Sequence, residues 1–453
     1  MKNLKSTLLA LAPLACLVTM ASAADGPQVY AIKGARIVRV SGPPIENGTV
    51  VLRDGVIEAV GDNITPPADA WVIEGKGMTV YPGLVDALST WGLPSAAPAV
   101  AAGGGRGRGA AALTAATGAP AVAPTVINGP EDRPSNSSYV KAADMLVPAD
   151  RSIETARDGG FTTAVTFPET NLFAGQGAVI DLAGERAGSM VINPSAGQYI
   201  KFPNGGGGRS YPGNLLGYMA YIRQIYLDAD HYKLAEKIYM EHPQGLPRPA
   251  YDKTLVGVIE SPRTLLPANR LVEIDRMIHF SKELKLNSVF YGGEEGWRGA
   301  ELLAKANYPI LVSLKWPVRP ADSNPNDVDT LRILEMRDKA PTTPAALAKA
   351  GVKFAFYSDG LTSSRDIMRA VKRAIDNGLS PSDAIRAMTL TPAEIYGVSD
   401  RIGSIDKGKI GNIVVADGDI FAGAKIKYVF VDGMKFEPST EPPTMRRTTE
   451  SMQ

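Results

Sequence analysis

The chain has 453 residues, 44% of them apolar, with 48 basic against 47 acidic residues and a formal net charge of +1. That apolar share excludes wholesale disorder, and the charge balance excludes a global electrostatic drive toward nucleic acid or an anionic membrane. A single cysteine, Cys16, excludes a disulfide framework and a multi-cysteine metal site.

The N-terminus carries Lys2 and Lys5, an apolar run over residues 8–20, and the small-residue site Ala21, Ser22, Ala23. This order specifies a secretory signal peptide over residues 1–23 and a periplasmic or secreted protein. The apolar run is too short to span a bilayer, so no membrane span is expected after cleavage. Residues 24–81 read as short strands with a hairpin turn at Asp54-Gly55. They form the first part of a small β-sandwich, too few strands to bury their apolar faces alone.

Residues 82–395 read as a barrel. Residues 96–123 are Gly/Ala-rich, a low-complexity insertion expected to be mobile and dispensable for folding. Downstream, a helix at 152–159 precedes strands at 161–167 and 177–182, and a long helix runs from Asn214 to about Met240. A strand at 255–259 and a helix at 267–284 follow, then strand 288–291, helix 297–306, strand 310–314, helix 344–350 and strand 353–357. Helices at 367–377 and 380–388 close this part. Strand and helix alternating at this pitch predict an α/β fold, a (β/α)8 TIM-like barrel. Residues 396–437 return to strands, so the β-sandwich is built from both chain ends; residues 438–453 read as a flexible tail.

Three segments resemble the amidohydrolase superfamily, in particular its imidazolonepropionase-like branch. One is Pro82, Gly83, Leu84, Val85 and Asp86, which opens the barrel. The second is the run 354–359, ending in Asp359. The third covers residues 387–397, 401–409 and 412–419. The resemblance implies metal-dependent hydrolysis in the active relatives. Their ligands are His-x-His on the first strand, often a carboxylated lysine on the fourth, a histidine each on the fifth and sixth, and an aspartate on the eighth. One or two metals supply hydroxide and polarise the carbonyl.

Leu88 and Thr90 occupy the two first-strand histidine positions, and rough alignment puts Glu260 at the fifth-strand position and Gly293 or Glu294 at the sixth. Only Asp359 matches a ligand. The chain's three histidines, His231, His242 and His279, fall in or beside predicted helices. Other chemistries fare no better. Nothing places two of Glu260, Glu294, Glu295 and Asp359 at the separation a glycosidase pair needs. The run 322–327 starts like a calcium loop but lacks its sixth-position glycine. The tract Gly205–Gly208 lacks the phosphate-loop spacing and lysine.

The sequence therefore predicts a member of the amidohydrolase superfamily without the metal ligands and without catalysis: a ligand-binding protein, or a partner subunit of an active relative. The alternative is a hydrolase of C–N bonds in small amides or peptides with an atypical site. Asp359 is the residual catalytic position, and Leu88, Thr90, Glu260, Glu294 and Lys315 are pocket candidates, with Lys315 expected to neutralise Asp359. No cofactor is predicted; zinc or another divalent metal belongs to the alternative alone. The expected partner is a small molecule or a metal-bearing relative, not nucleic acid.

Overall fold

The structure is a computed structural model that describes residues 29–94, 133–202, 212–320, 322–324 and 326–438. The expected signal peptide, the 96–123 insertion, the glycine tract and residues 439–453 of the tail lie outside the described residues. Among the described residues no helix is long and apolar enough to cross a membrane.

Two sheets organise the chain. The first takes β1 (Val29–Ile37), β2 (Ile45–Arg53), β3 (Val56–Gly61), β4 (Trp71–Glu74) and β5 (Thr79–Pro82) from one end of the chain. It takes β14 (Ile413–Ala416), β15 (Ile426–Val431) and β16 (Met434–Phe436) from the other. Their order is β16-β15-β14-β5-β1-β2-β3, with β4 also paired to β1. Strand β14 runs antiparallel to β5, pairing Ile413 with Pro82 and Ala416 with Thr79. Ile32, Ile37, Val50, Leu52 and Val80 from one end and Ile413, Val415 and Phe430 from the other share one buried cluster. The two-ended sheet expected from the sequence is therefore present, since neither set of strands can bury these side chains without the other.

The second sheet is the barrel, ordered β6 to β13: β6 (Leu84–Ser89), β7 (Phe161–Thr166), β8 (Phe173–Asp181), β9 (Val191–Ile200), β10 (Thr264–Ala268), β11 (Ser288–Gly292), β12 (Ile310–Ser313) and β13 (Phe354–Tyr357). Seven strands are parallel; β8 runs antiparallel to both neighbours. The helices are α1 (Arg151–Asp158), α2 (Ala187–Met190), α3 (Leu215–Glu241), α4 (Lys253–Ile259), α5 (Leu271–Glu283), α6 (Gly296–Ala306), α7 (Leu331–Lys339), α8 (Thr343–Lys349), α9 (Ser364–Asp376), α10 (Pro381–Ala387) and α11 (Leu390–Tyr396). Val85, Ala87, Val165, Leu265, Val289, Leu311 and Ala355 fill the barrel interior, as alternate residues of a closed sheet must.

Three sequence readings need correction. Residues 255–259 are not a strand but most of α4. Asp252 caps that helix, its carboxylate accepting from the N–H groups of Thr254 and Leu255, and this cap outweighs the β propensity of Val256 and Val258. The barrel strand is β10 instead, which includes Pro267; the helix assigned from 267 begins only at Leu271. Strand β9 was not anticipated because Pro194 and Gly197 interrupt its apolar pattern.

Asn412 joins the two sheets. Its side-chain amide donates to Asp181 Oδ1 (2.5 Å) on β8 and to Thr163 Oγ1 (3.2 Å) on β7. Its Oδ1 accepts from Asp432 N (2.8 Å) in the turn before β16, and its carbonyl accepts from Gly83 N (2.9 Å) at the break between β5 and β6. All these groups are buried or half-buried, so losing the amide strands several of them at once. Asn412→Ala is expected to lower unfolding free energy by about 2–4 kcal/mol in urea titrations; a change under about 0.5 kcal/mol would contradict this role. Burial pushes the Asp181 carboxyl up to about 7, against the stabilising Asn412 hydrogen bond, with Asp432 adding repulsion. A carboxyl raised in the folded state contributes stability below its unfolded pKa of about 4 that is lost as pH rises through the folded value. Stability should therefore fall between pH 4 and 7, and Asp181→Asn should flatten that fall.

Candidate functional site at the barrel mouth

The C-terminal ends of the parallel strands converge on one face, where barrel chemistry is built. Strand β6 ends in Ser89 and Thr90, β9 in Ile200 and Lys201, β10 in Ala268 and Asn269, β11 in Gly292 and Gly293, β12 in Ser313, and β13 in Tyr357, Ser358 and Asp359. Below them the interior is aromatic. Tyr199 packs on Tyr291 at 5.3 Å between ring centroids and on Phe167 at 5.5 Å, and Phe167 reaches Tyr396 at 6.4 Å. Burial, with Asp359 adding to it, raises the phenols of Tyr199, Tyr291 and Tyr357, which stay neutral hydroxyls. Tyr291 donates to the Ile200 carbonyl (2.9 Å), fixing the end of β9 just before Lys201.

The barrel has a seam. Strands β6 and β13 are neighbours, yet no ladder joins them. Asp86, 1% exposed, bridges the gap: its Oδ1 accepts from Ser358 N (3.0 Å) across the seam and weakly from Leu88 N (3.4 Å) on its own strand. Tyr396 of α11 donates to the Ala87 carbonyl (2.7 Å), and Val85 N donates to Met388 O (2.7 Å). Asp86 Oδ2 has no hydrogen-bond partner. Burial pushes the Asp86 carboxyl up to about 7, the Ser358 and Leu88 contacts opposing it and Asp359 reinforcing it. A protonated Oδ2 removes the cost of a buried, half-satisfied anion.

Asp359 follows directly, in the left-handed region at φ 50°, a conformation aspartate tolerates better than most residues. Its Oδ2 accepts from Ser313 Oγ (2.8 Å), and Ser313 Oγ in turn accepts from Lys315 N (3.0 Å). The expected Lys315–Asp359 ion pair is absent among the described ion pairs. Both side chains are exposed, and exposed charges need no partner. Leu88 is buried in the interior cluster, whereas Thr90 is exposed.

Glu260 is displaced from the site altogether. It caps the end of α4 and reaches Lys141 at 3.6 Å. The fifth-strand position belongs to Asn269, whose side chain fills the space beside Gly292; a Cβ on Gly292 would lie 1.9 Å from Asn269 Oδ1. Glu294 stays near the mouth, its carboxyl raised first by burial and then by Glu273, Asp359 and Glu295. Glu295 is structural, accepting from Leu271 N (3.0 Å) at the start of α5. Sequence reading missed Lys201, which follows the fourth barrel strand and pairs with Glu169 at 3.1 Å. Once β9 is known, counting strands back from Asp359 finds it.

The three histidines sit on helices: His231 in α3, His242 at its C-cap and His279 in α5, where Nδ1 lies 2.9 Å from Asp275 O. Among the described residues no group of three or more His, Cys, Asp or Glu side chains converges to hold a metal ion. The donor set at the mouth, Leu88, Thr90, Asn269 and Gly293 beside Lys201 and Asp359, does not fit a catalytic zinc. A cleft of about 340 Å³ lies elsewhere, lined by Arg133, Asp228, His231 and Asp252 among others. There the terminal nitrogens of Arg133 donate to Asp252 (2.5 Å) and Asp228 (3.3 Å), while its Nε has no partner among the described residues.

Residues 301–435 match the sequence model of the amidohydrolase family. That match covers 135 of the 453 residues. The fold of the chain is similar to that of an amidohydrolase from Thermotoga maritima MSB8, with a TM-score of 0.68 and 24% identity over 90% of this chain and 100% of that one. At that identity the likeness is one of fold. Shorter stretches are similar to an adenine deaminase of Moorella thermoacetica, 35% identical over 77 residues, and to adenine deaminase 1 of Desulfotalea psychrophila, 33% identical over 87 residues. These stretches are 17% and 18% of this chain and span only 13% and 14% of those proteins.

The barrel depends on Asp86 more than on Asp359. Asp86→Ala leaves the buried N–H of Ser358 without its acceptor and should cost about 2–4 kcal/mol, measured by chemical denaturation. Asp359→Asn, at an exposed site, should change stability by less than about 1 kcal/mol. The reverse order would contradict this division.

Proposed function

We propose that this chain is a member of the amidohydrolase superfamily that binds a small molecule at the barrel mouth and does not hydrolyse it. One observation carries the reading: the strand ends offer Leu88, Thr90, Asn269 and Gly293, and all three histidines lie on helices. Water at neutral pH needs a metal or a positioned base to become a nucleophile. Asp359 and Glu294 are the nearest candidates for a base, and neither has a histidine or a metal set beside it. The mouth keeps polar groups that can orient a ligand, namely Asp359, Ser313, Glu294 and the Lys201–Glu169 pair, above tyrosine rings that exclude water from below.

Within the superfamily, the closing run 387–419 supports the imidazolonepropionase-like branch. The order of basic, apolar and small residues over 1–23 supports export to the periplasm or beyond. A protein of this kind can serve alone as a binder or as the partner subunit of a metal-bearing relative.

A second reading, a hydrolase of C–N bonds in small amides or peptides, is favoured by one observation. Lys201 and Asp359 stand after the fourth and eighth barrel strands, where the resemblance places a lysine and an aspartate. The two readings part in a hydrolysis assay of lactams, small amides and dipeptides at pH 7–8 with excess zinc. The binding reading expects turnover at the buffer rate for native protein, Lys201→Ala and Asp359→Asn alike. It also expects at least one compound of that panel to raise the native melting temperature. Zinc-dependent turnover lost in both variants would establish the hydrolase instead.

A further inference from the structure

Strands β6 and β13 close the barrel without a ladder, and their main-chain groups are committed elsewhere. Val85 N donates to Met388 O (2.7 Å), the Ala87 carbonyl accepts from Tyr396 (2.7 Å), and the Ser89 carbonyl accepts from Phe167 N (2.9 Å). On the other strand, the Tyr357 carbonyl accepts from Leu314 N (3.0 Å). Among the described residues one hydrogen bond crosses the seam, from Ser358 N to Asp86 Oδ1 (3.0 Å). The second oxygen, Asp86 Oδ2, is buried without a partner. So are the hydroxyls of Ser89 on β6 and of Thr166, its register partner on β7. Unsatisfied buried polar atoms are what an entering water bonds to.

The groups around Asp86 do not neutralise it. The titratable ones are Asp359, at the end of β13, and Tyr396, on α11. Its register partner on β7 is the uncharged Ala164, and Leu88 and Thr90 follow it on β6. Arg386 of α10 pairs instead with Glu394 of α11 (2.6 Å). An ionised Asp86 therefore keeps a bare buried oxygen and meets a like charge, and a proton or a water relieves it. Burial, with Asp359 adding to it, places the choice between the two near pH 7.

We propose that the β6–β13 seam is a proton-controlled gate, shut and dry while Asp86 carries a proton, hydrated and open when it does not. Opening breaks the Ser358 contact and no ladder, so it is a local event and not an unfolding of the barrel. It frees the turn that carries Asp359, and with it one edge of the mouth, whatever that mouth binds. In the open state water reaches the carboxyl, which returns to its ordinary value of about 4. The shut state holds the proton more tightly. Opening is therefore rarest at low pH, grows as pH rises toward 7, and levels off above that.

Hydrogen exchange of the full native chain, read by mass spectrometry on overlapping peptides, tests the gate. The reporter is the Ser358 amide, and the control is the Phe290 amide, which donates to Pro309 O (3.0 Å) inside the barrel. Rates are taken relative to each amide's intrinsic rate at the same pH. Protection at Ser358 should fall roughly tenfold per pH unit between about pH 5 and 7, the slope of one linked proton. That loss should be nearly the same in water and in about 1 M urea, because a local opening exposes little surface. Protection at Phe290 should fall with urea, as global unfolding requires. Asp86→Asn, which cannot ionise, should abolish the pH slope at Ser358. Protection at Ser358 that is flat with pH overturns the proposal, as does a urea dependence matching that of Phe290 throughout. A pH slope that survives Asp86→Asn overturns it equally. Where that variant does not fold, the pH and urea slopes of the native chain decide alone.

Discussion

The structure hangs on a buried carboxyl at a seam. A closed barrel normally joins its last strand to its first by a main-chain ladder, and here that ladder is missing between β13 and β6. Asp86 takes its place with one acceptor oxygen on Ser358 N. That single contact sets where β13 ends, and so where Asp359 leaves the sheet in its left-handed turn. It also works only if burial is tolerated, and the rise of the carboxyl toward neutral pH is how the protein tolerates it. Tyr396, donating to the Ala87 carbonyl, and the Met388 carbonyl, accepting from Val85 N, reinforce the same edge. The geometry of the mouth is thus inherited from a structural carboxyl two residues before Leu88.

The barrel interior packs largely against itself. Here Phe167, Tyr199, Tyr291 and Tyr396 pack against one another below the rim. Large rings with hydroxyls aimed at carbonyls, such as Tyr291 on Ile200 O and Tyr396 on Ala87 O, satisfy themselves without an added cation. The charged residues are left at the rim, paired locally as Lys201 with Glu169, or bonded to a neutral hydroxyl as Asp359 with Ser313.

The barrel and its two-ended sheet were readable because their signals are local and repeated. Asp54-Gly55 marks a hairpin, Pro82-Gly83 a break between sheets, and strand after strand from 288 onward alternates with a helix. The failures came where a side chain overrode propensity. Val256 and Val258 look like strand until Asp252 caps them into a helix. Pro194 and Gly197 hide β9, and with it Lys201, because a strand with irregular pairing has no clean alternation to detect. The proposed neutralisation of Asp359 by Lys315 failed for a different reason. Neighbouring strand ends place backbones together, but they do not dictate that long side chains leave water to meet. No periodicity in the sequence could announce that Asp86 would span a seam, since the feature exists only once the barrel has closed.

The central proposal is a barrel of the amidohydrolase kind whose mouth holds no catalytic metal. Elemental analysis of the chain, expressed with zinc, manganese and nickel supplied and purified without chelators, tests it most directly. The account predicts substoichiometric divalent metal per chain that dialysis removes, since no set of three or four protein ligands converges among the described residues. One or two equivalents retained through dialysis, and lost together in Lys201→Ala and Asp359→Asn, would contradict it.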